Sequence, residues 1–144
     1  MNLFVEDIIP EGWEGEIRES TINGKPDWRR LLEALPCGDG FVEVGHESDG
    51  ATVMFMRSIP FFGFPKHKHP IASRRHDKRC EEAAKYKATA KTFPRSSPAR
   101  KHFMDLYKKY RKIGDDMFKV DIGKGGTWWE QQKGYAGVRV GAFF

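Results

Sequence analysis

The sequence has little cysteine and no long hydrophobic segment, and each absence excludes a class of protein. Only two of its 144 residues are cysteines, which is too few for a small secreted domain held together by disulfides. No run approaches the roughly 18 consecutive apolar residues of a membrane-spanning helix. The acidic start at residues 1–7 does not resemble a signal peptide. We therefore expect a cytoplasmic protein that does not associate with a membrane.

Signatures of common enzymes are also missing. The chain contains no G-x-S-x-G motif, and the glycines at 123–126 lack the G-x-x-x-x-G-K-[ST] order of a phosphate-binding loop. Asp115, Asp116, Asp121 and Glu130 have no spacing that indicates a metal-dependent nuclease. We expect a protein that is not an enzyme and that carries no cofactor.

Charge is the most informative property that is present. Apolar residues make up 39% and charged residues 31% of the chain, a composition typical of one compact domain. The net charge of +5 divides into −8 over residues 1–56, +13 over 57–112 and zero over 113–144. This asymmetry predicts a polyanionic partner for the middle third, with DNA favoured over RNA. In the alternative, the basic residues are solvated or pair with the acidic third of the same chain.

Candidate phosphate contacts follow from this charge distribution. They are the basic side chains Lys66, Lys68, Arg74, Arg75, Lys78, Arg79, Lys85, Lys87, Lys91, Arg95, Arg100, Lys101 and Lys108. Exposed aromatic rings near basic residues can stack on bases or fill a pocket in a partner. Phe62, Trp128 and Trp129 are the candidates for this role. Anchoring a loop to the core is the commoner role of phenylalanines such as Phe62, whereas burial in the core explains the two tryptophans equally well.

Two helices are predicted in the basic region. Residues 74–91 are rich in alanine but lack a continuous apolar face, so we expect a surface helix whose arginines are free for a partner. Residues 98–113 follow a capping serine, Ser97, begin with a proline and place Phe103 and Leu106 on one apolar arc. We expect this second helix to end at Gly114, in which case the basic residues at 109–112 complement its dipole.

The remaining segments predict an α+β fold. Trp28, Leu31, Leu32 and Leu35 have the spacing of one helical face, which favours a short helix over 28–35. The proline- and phenylalanine-rich basic segment at 59–70 predicts a loop. Alternating segments predict strands at 41–44, 51–56, 117–122 and 135–140.

We expect these strands to form a small antiparallel sheet with the 98–113 helix packed across it. The whole chain, 1–144, is interpreted as a single domain. Its parts are an acidic part at 1–56, a basic loop and helix inserted at 57–97, and a helix with closing strands at 98–144.

Metal binding was weighed at four residues of the basic region. His67 and His69 form H-x-H, while His76 and Cys80 form H-x-x-x-C, which places two ligands on one helix face. No second pair of cysteines accompanies them, and histidines among lysines and arginines are more typical of anion binding. We therefore predict no metal, with zinc at these residues as the alternative.

Several short motifs resemble a group of phage proteins. The motifs are LPCGDGFVEV at 35–44, YKKYRKIG at 107–114, F-K-V at 118–120 and AGVRV at 136–140. This order is similar to that of small, mostly uncharacterised proteins encoded by bacteriophages, in which residues 45–97 would be an insertion. The resemblance covers less than half of the chain. It implies association with DNA or modulation of host factors, in the cytoplasm of the host cell.

The favoured interpretation is a non-enzymatic nucleic-acid-binding accessory protein of phage type. In one alternative the chain is an inhibitor or modulator that binds a host nucleoprotein complex. In another it is a structural component of a virion or ribonucleoprotein assembly. No oligomeric state is predicted.

Overall fold

The computed structural model describes residues 2–7, 17–50 and 68–141. Five short strands precede three helices in this part of the chain, which confirms the α+β class. None of the three helices combines the length and the apolar character that crossing a bilayer requires. The predicted strand at 51–56 and most of the predicted loop at 59–70 lie outside the described residues.

The elements are β1 (Glu19–Ile22), β2 (Lys25–Leu31), β3 (Leu35–Cys37), β4 (Gly40–Val42), β5 (Glu47–Ser48), α1 (Pro70–Ala90), α2 (Pro98–Gly125) and α3 (Trp128–Gly141).

The strands form two small antiparallel sheets. One has the order β1-β2-β5, and the other consists of β3 and β4. Gly24 turns the chain between β1 and β2 with a φ of 77°, a backbone conformation that favours glycine. Gly38 does the same between β3 and β4 with a φ of 62°. The predicted strand at 41–44 is thus observed as Gly40–Val42, and its described partner is Leu35–Cys37.

The predicted helix over 28–35 is wrong. The Asn-Gly pair at 23–24 is a strong hairpin signal, and β2 pairs with β1 in a register that places Leu31 opposite Glu19. Leu31 and Leu35 are buried, as an apolar face requires, but Trp28 and Leu32 are exposed. Leu31 and Leu35 therefore belong to two separate strands, β2 and β3. The pairing of these strands with their neighbours outweighed the helical spacing of the apolar residues.

The second predicted helix is correct at its start and wrong at its end. Ser97 caps α2 by accepting a hydrogen bond from the backbone N–H of Ala99, but the helix continues through Gly114 to Gly125. Gly114 is buried, and a Cβ added to it would lie 3.3 Å from the Cβ of Arg79. This glycine therefore permits a close approach between helices instead of ending one.

The predicted strands at 117–122 and 135–140 are also wrong, since both segments are helical. Phe118 and Ile122, four residues apart, are buried on one side of α2. In α3, Val138 packs against the cluster that these two residues form with Ala72. β-branched residues such as Ile122 and Val138 favour strands, but their packing in this cluster stabilises helices in both segments.

Helix α1 lies between the two parts of the hydrophobic core. Ile71 joins a cluster beneath the strands that includes Leu31, Leu35 and Val42, whereas Ala72 joins the cluster at α2. Accordingly α1 contacts β3, β4 and β5 on one side and α2 on the other. The expectation that the 98–113 helix packs across the sheet is wrong, because α1 occupies that position.

Candidate nucleic-acid interface

The arginines of α1 point into the protein. Arg74, Arg75 and Arg79 are each only 1% exposed. Arg75 donates hydrogen bonds to Asp121 at 2.9 Å and to Asp7 at 2.7 Å, and Arg79 lies 3.4 Å from the same oxygen of Asp121. We name Arg75, Arg79, Asp7 and Asp121 the buried charge centre.

Arg74 connects α1 to the three-stranded sheet. Its Nε donates to Glu19 of β1 at 2.7 Å, and its Nη atoms donate to the backbone carbonyls of His46 at 2.7 Å and Arg29 at 2.8 Å. The Arg74 guanidinium thus finds acceptors for its hydrogen bonds almost entirely inside the protein, as the burial of a charged group requires.

These contacts change the interpretation of the basic middle third. Burial acts to raise the pKa of the Asp7 carboxyl, but the hydrogen bonds and charge of Arg75 outweigh it and leave that pKa below its ordinary value. The expectation that Arg74, Arg75 and Arg79 are free for a partner is therefore wrong. For these three residues, the alternative of pairing with the chain's own acidic third is correct, since Asp7 and Glu19 belong to it.

The other candidate phosphate contacts lie in different surroundings. Lys68, Lys78, Lys85 and Lys101 form ion pairs with Glu130, Glu43, Glu82 and Asp105 respectively. Lys91 and Arg95 are exposed, and Arg100 donates to the carbonyl of Phe93. Lys66 and Phe62 lie outside the described residues. The two candidates that remain, Lys87 and Lys108, line a common cavity.

This cavity, which we name the basic groove, has a volume of about 810 Å³. Six basic side chains and a single carboxylate, Asp116, line it among the described residues. Apolar groups supply part of its wall, and Tyr107 contributes an aromatic ring. The lining residues are Lys87, Met104, Tyr107, Lys108, Lys109, Arg111, Lys112, Ile113, Asp116 and Arg139.

Internal contacts fix three of the groove's basic side chains, and one of these contacts is the ion pair of Lys112 with Asp116 at 2.9 Å. The Nε of Arg111 donates a hydrogen bond to Asp115 at 3.1 Å, and the Nη1 of Arg139 donates another to Asp115 at 2.8 Å. Asp115 itself is fully buried. The amine of Lys87 lies 5.3 Å from the centre of the Tyr107 ring. The amine of Lys87 is thus held beside an aromatic face at one wall of the groove, an arrangement suited to phosphate and base together.

Sequence reasoning missed four of the groove's cations. A helix ending at Gly114 predicts that Lys109, Arg111 and Lys112 complement its dipole, but they lie in the middle of α2, where that explanation does not apply. Arg139 was placed in a strand, whereas α3 carries it to the groove. The unusual density of basic residues at 108–112 was the available signal.

Comparisons with known proteins gave no match. No protein-family model matches the chain, and no curated protein or solved structure shows significant similarity to it. The resemblance to phage proteins stays a prediction.

The two candidate tryptophans stand at the start of α3. Trp128 is 69% and Trp129 47% exposed, and their rings stack with centroids 6.3 Å apart. Neither ring is therefore buried in the core, and both present apolar surface to solvent.

Behind the groove, Asp115 also binds a histidine. The Nε2 of His76 lies 2.6 Å from Asp115 Oδ1, and the Sγ of Cys80 lies 3.5 Å from the same nitrogen. Burial acts to lower the pKa of His76, but its hydrogen bond with Asp115 and the neighbouring Cys80 raise that pKa to about 9. Of the four residues weighed for zinc, His76 and Cys80 are thus adjacent, whereas His69 contacts Glu130 and His67 lies outside the described residues.

Glu130 combines a helix cap with an ion pair. Its Oε1 accepts a hydrogen bond from the Thr127 backbone N–H, and its own N–H donates to the Thr127 hydroxyl, both at 3.1 Å, which is a capping box. Its Oε2 lies 2.7 Å from the amine of Lys68. Burial acts to raise the pKa of Glu130, but Lys68, the Thr127 N–H and His69 lower it from 4.5 to about 2.

We expect Glu130→Gln to destabilise the protein near neutral pH by up to about 3 kcal/mol, the free energy that corresponds to this pKa shift. Glutamine retains the cap acceptor but not the charge. Because the folded-state pKa is depressed, the contribution is complete above pH 4.5 and is lost as the pH falls toward about 2. Urea unfolding of both proteins across this range tests the prediction, and their stabilities should converge at low pH. Glu82→Gln, which removes a surface pair with Lys85, is the control and should change little.

Proposed function

We propose that the chain is an accessory protein that binds nucleic acid through the basic groove, with DNA as the preferred polymer. The supporting observation is the composition of the groove, in which six cations face one carboxylate around an aromatic ring. A concave surface with a large excess of positive charge attracts a polyanion and concentrates it.

The proposed mode of binding is electrostatic and weakly dependent on base sequence. Lysine and arginine neutralise phosphates and release counterions, which supplies most of the affinity of such complexes. The described lining of the groove contains no Asn or Gln, the side chains that read adenine through paired hydrogen bonds. Tyr107 can stack on any base, because stacking does not depend on base identity.

The test compares two variants that remove the same amount of charge. Lys108, Lys109 and Lys112 are changed to Gln in the groove variant, and Lys91, Arg95 and Lys101, which lie outside the groove, in the control variant. All six side chains are exposed, so both variants should fold. We expect the groove variant to bind a short DNA duplex roughly tenfold or more weakly, with a salt slope smaller by up to about 3.

The control variant should retain most of the affinity of the unchanged protein. Equal losses in the two variants would show that binding is spread over the whole basic surface and would contradict the proposal. Affinity that does not depend on salt would also contradict it.

A protein partner is the second candidate, and the exposed tryptophans favour it. Tryptophan is enriched among the residues that dominate protein–protein interfaces, and Trp128 and Trp129 form one exposed stacked pair. Capture of a defined protein that survives nuclease treatment and is abolished by Trp128→Ala would support this alternative. Capture that nuclease removes would support the nucleic-acid proposal.

A further inference from the structure

Three side chains with metal-binding chemistry converge between α1 and α2. The Nε2 of His76, the Sγ of Cys80 and a carboxylate oxygen of Asp115 all lie within 4.8 Å of one another. His76 and Cys80 are four residues apart on α1 and therefore share one face of that helix. Asp115 approaches from α2, and sequence spacing alone could not have indicated it.

We propose that His76, Cys80 and Asp115 bind one divalent metal ion of the zinc class, with the fourth coordination position open. Imidazole nitrogen, thiolate and carboxylate are the three donor types that Zn²⁺ takes from proteins. Three protein ligands and one open position are typical of reactive zinc sites, whereas purely structural sites are closed by four.

Two of the three ligand-atom distances fit a tetrahedral ion after a small adjustment. The third, between the Sγ of Cys80 and a carboxylate oxygen of Asp115, lies within 4.8 Å and must be about 3.5 Å in such a site. With bonds of about 2.3 Å to sulfur and about 2.05 Å to nitrogen, these two ligand atoms are separated by about 3.5 Å in a tetrahedral site. The Sγ of Cys80 lies 3.5 Å from the Nε2 of His76. The 2.6 Å hydrogen bond between His76 and Asp115 must open to about 3.3 Å, because the ion replaces the proton that lies between these atoms.

The surroundings of Asp115 hold it in place as a ligand. Arg139 donates to its Oδ2 at 2.8 Å and Arg111 to its Oδ1 at 3.1 Å. Hydrogen bonds of this kind orient ligating carboxylates in metal sites. Their presence is therefore compatible with a bound ion.

The access route to the cluster favours a cation. Cys80 lines a cavity of about 480 Å³ whose wall includes the carboxylates of Glu47, Asp49, Asp77 and Glu81. Arg111 is the one basic residue among the described residues that line it. Asp77 accepts a hydrogen bond from Ser48, and Glu47 and Glu81 pair with Arg30 and Lys78 respectively. These carboxylates therefore belong to the entrance and not to the set of ligands. An entrance of one sign concentrates ions of the opposite sign.

This cavity borders the basic groove, because Tyr107 and Arg111 line both. The metal proposal does not depend on nucleic-acid binding, since it rests on a different set of side chains.

The experiment is a titration of the untagged, reduced, full-length protein with Co²⁺, a spectroscopic substitute for Zn²⁺. We expect one Co²⁺ per chain, a thiolate-to-cobalt charge-transfer band, the visible bands of a tetrahedral ion, and displacement by Zn²⁺. Cys80→Ser should abolish the charge-transfer band. It should also weaken Zn²⁺ binding by more than the roughly 10- to 100-fold that changes to outer-shell partners cost.

Cys37→Ser is the matched control, because Cys37 is the protein's other thiol and is fully buried in the core cluster beneath the strands. It should leave the cobalt spectrum unchanged, and circular dichroism should verify that both variants are folded. The proposal is overturned if excess Co²⁺ produces no charge-transfer band. It is equally overturned if the band persists in Cys80→Ser or if only Cys37→Ser removes it.

Discussion

Replacing Asp121 with asparagine should lower the free energy of unfolding by about 3–5 kcal/mol, the cost of breaking a buried ion pair. The Asp121 carboxylate lies 2.9 Å from Nε of Arg75 and 3.4 Å from Nη1 of Arg79. Without its charge, two buried guanidiniums share Asp7 as the remaining carboxylate of the buried charge centre. Asparagine has nearly the same shape, so the loss reports charge and not packing.

Denaturant unfolding measures this effect, and Asp105→Asn is the matched control. Asp105 pairs with Lys101 on the same helix, but its side chain is 56% exposed. Exposed pairs contribute little because water screens them, so the control should unfold at the denaturant concentration of the unchanged protein. Equal destabilisation by the two substitutions would show that the centre is not isolated from water.

Replacing Phe118 with alanine should destabilise the protein by about 3–5 kcal/mol, the usual cost of removing a buried phenyl ring. Phe118 is 2% exposed and packs with Ala72 and Ile122. Its ring also lies 4.7 Å from that of His76. The cavity would therefore open at the junction of α1 and α2, where neither helix can collapse easily.

Val120→Ala is the control on the same helix, because Val120 is 56% exposed. Its effect should stay within about 0.5 kcal/mol. Thermal or chemical unfolding distinguishes the two residues. Had 117–122 been a strand, Phe118 and Val120 would lie on the same face, and the two substitutions would have similar effects.

Local signals in the sequence predicted the start of α2 and one of the strands. The Ser-Pro pair at 97–98 marked the beginning of α2. The alanine-rich segment predicted the end of α1 to within one residue, but the helix begins four residues before the predicted start, at Pro70. The end of α2 could not be predicted, because Gly114 also has the sequence properties of a helix terminator. Only the approach of Arg79 from another helix reveals its packing role.

The inward arginines show a second limit of sequence reasoning. Scales of hydrophobicity assign arginine to the surface, so the lack of a continuous apolar face in α1 predicts a surface helix. The burial of Arg74, Arg75 and Arg79 contradicts that prediction. Their acidic partners lie far away in the sequence, and no local motif identifies these acidic residues as partners. Of the basic groove, Lys87 and Lys108 were among the predicted contacts, and the others became recognisable only when α2 and α3 were seen as continuous helices.

The buried charge centre also constrains the order in which the chain can fold during synthesis. Arg75 binds Asp7, 68 positions earlier, the carbonyl of Pro36, 39 positions earlier, and Asp121, 46 positions later. Contacts of such long range form late, because large loops must close before the contacts stabilise them. A nascent chain that ends before residue 121 holds Arg75 and Arg79 without one of their carboxylates. Cooperative folding must therefore wait until most of α2 has left the ribosome.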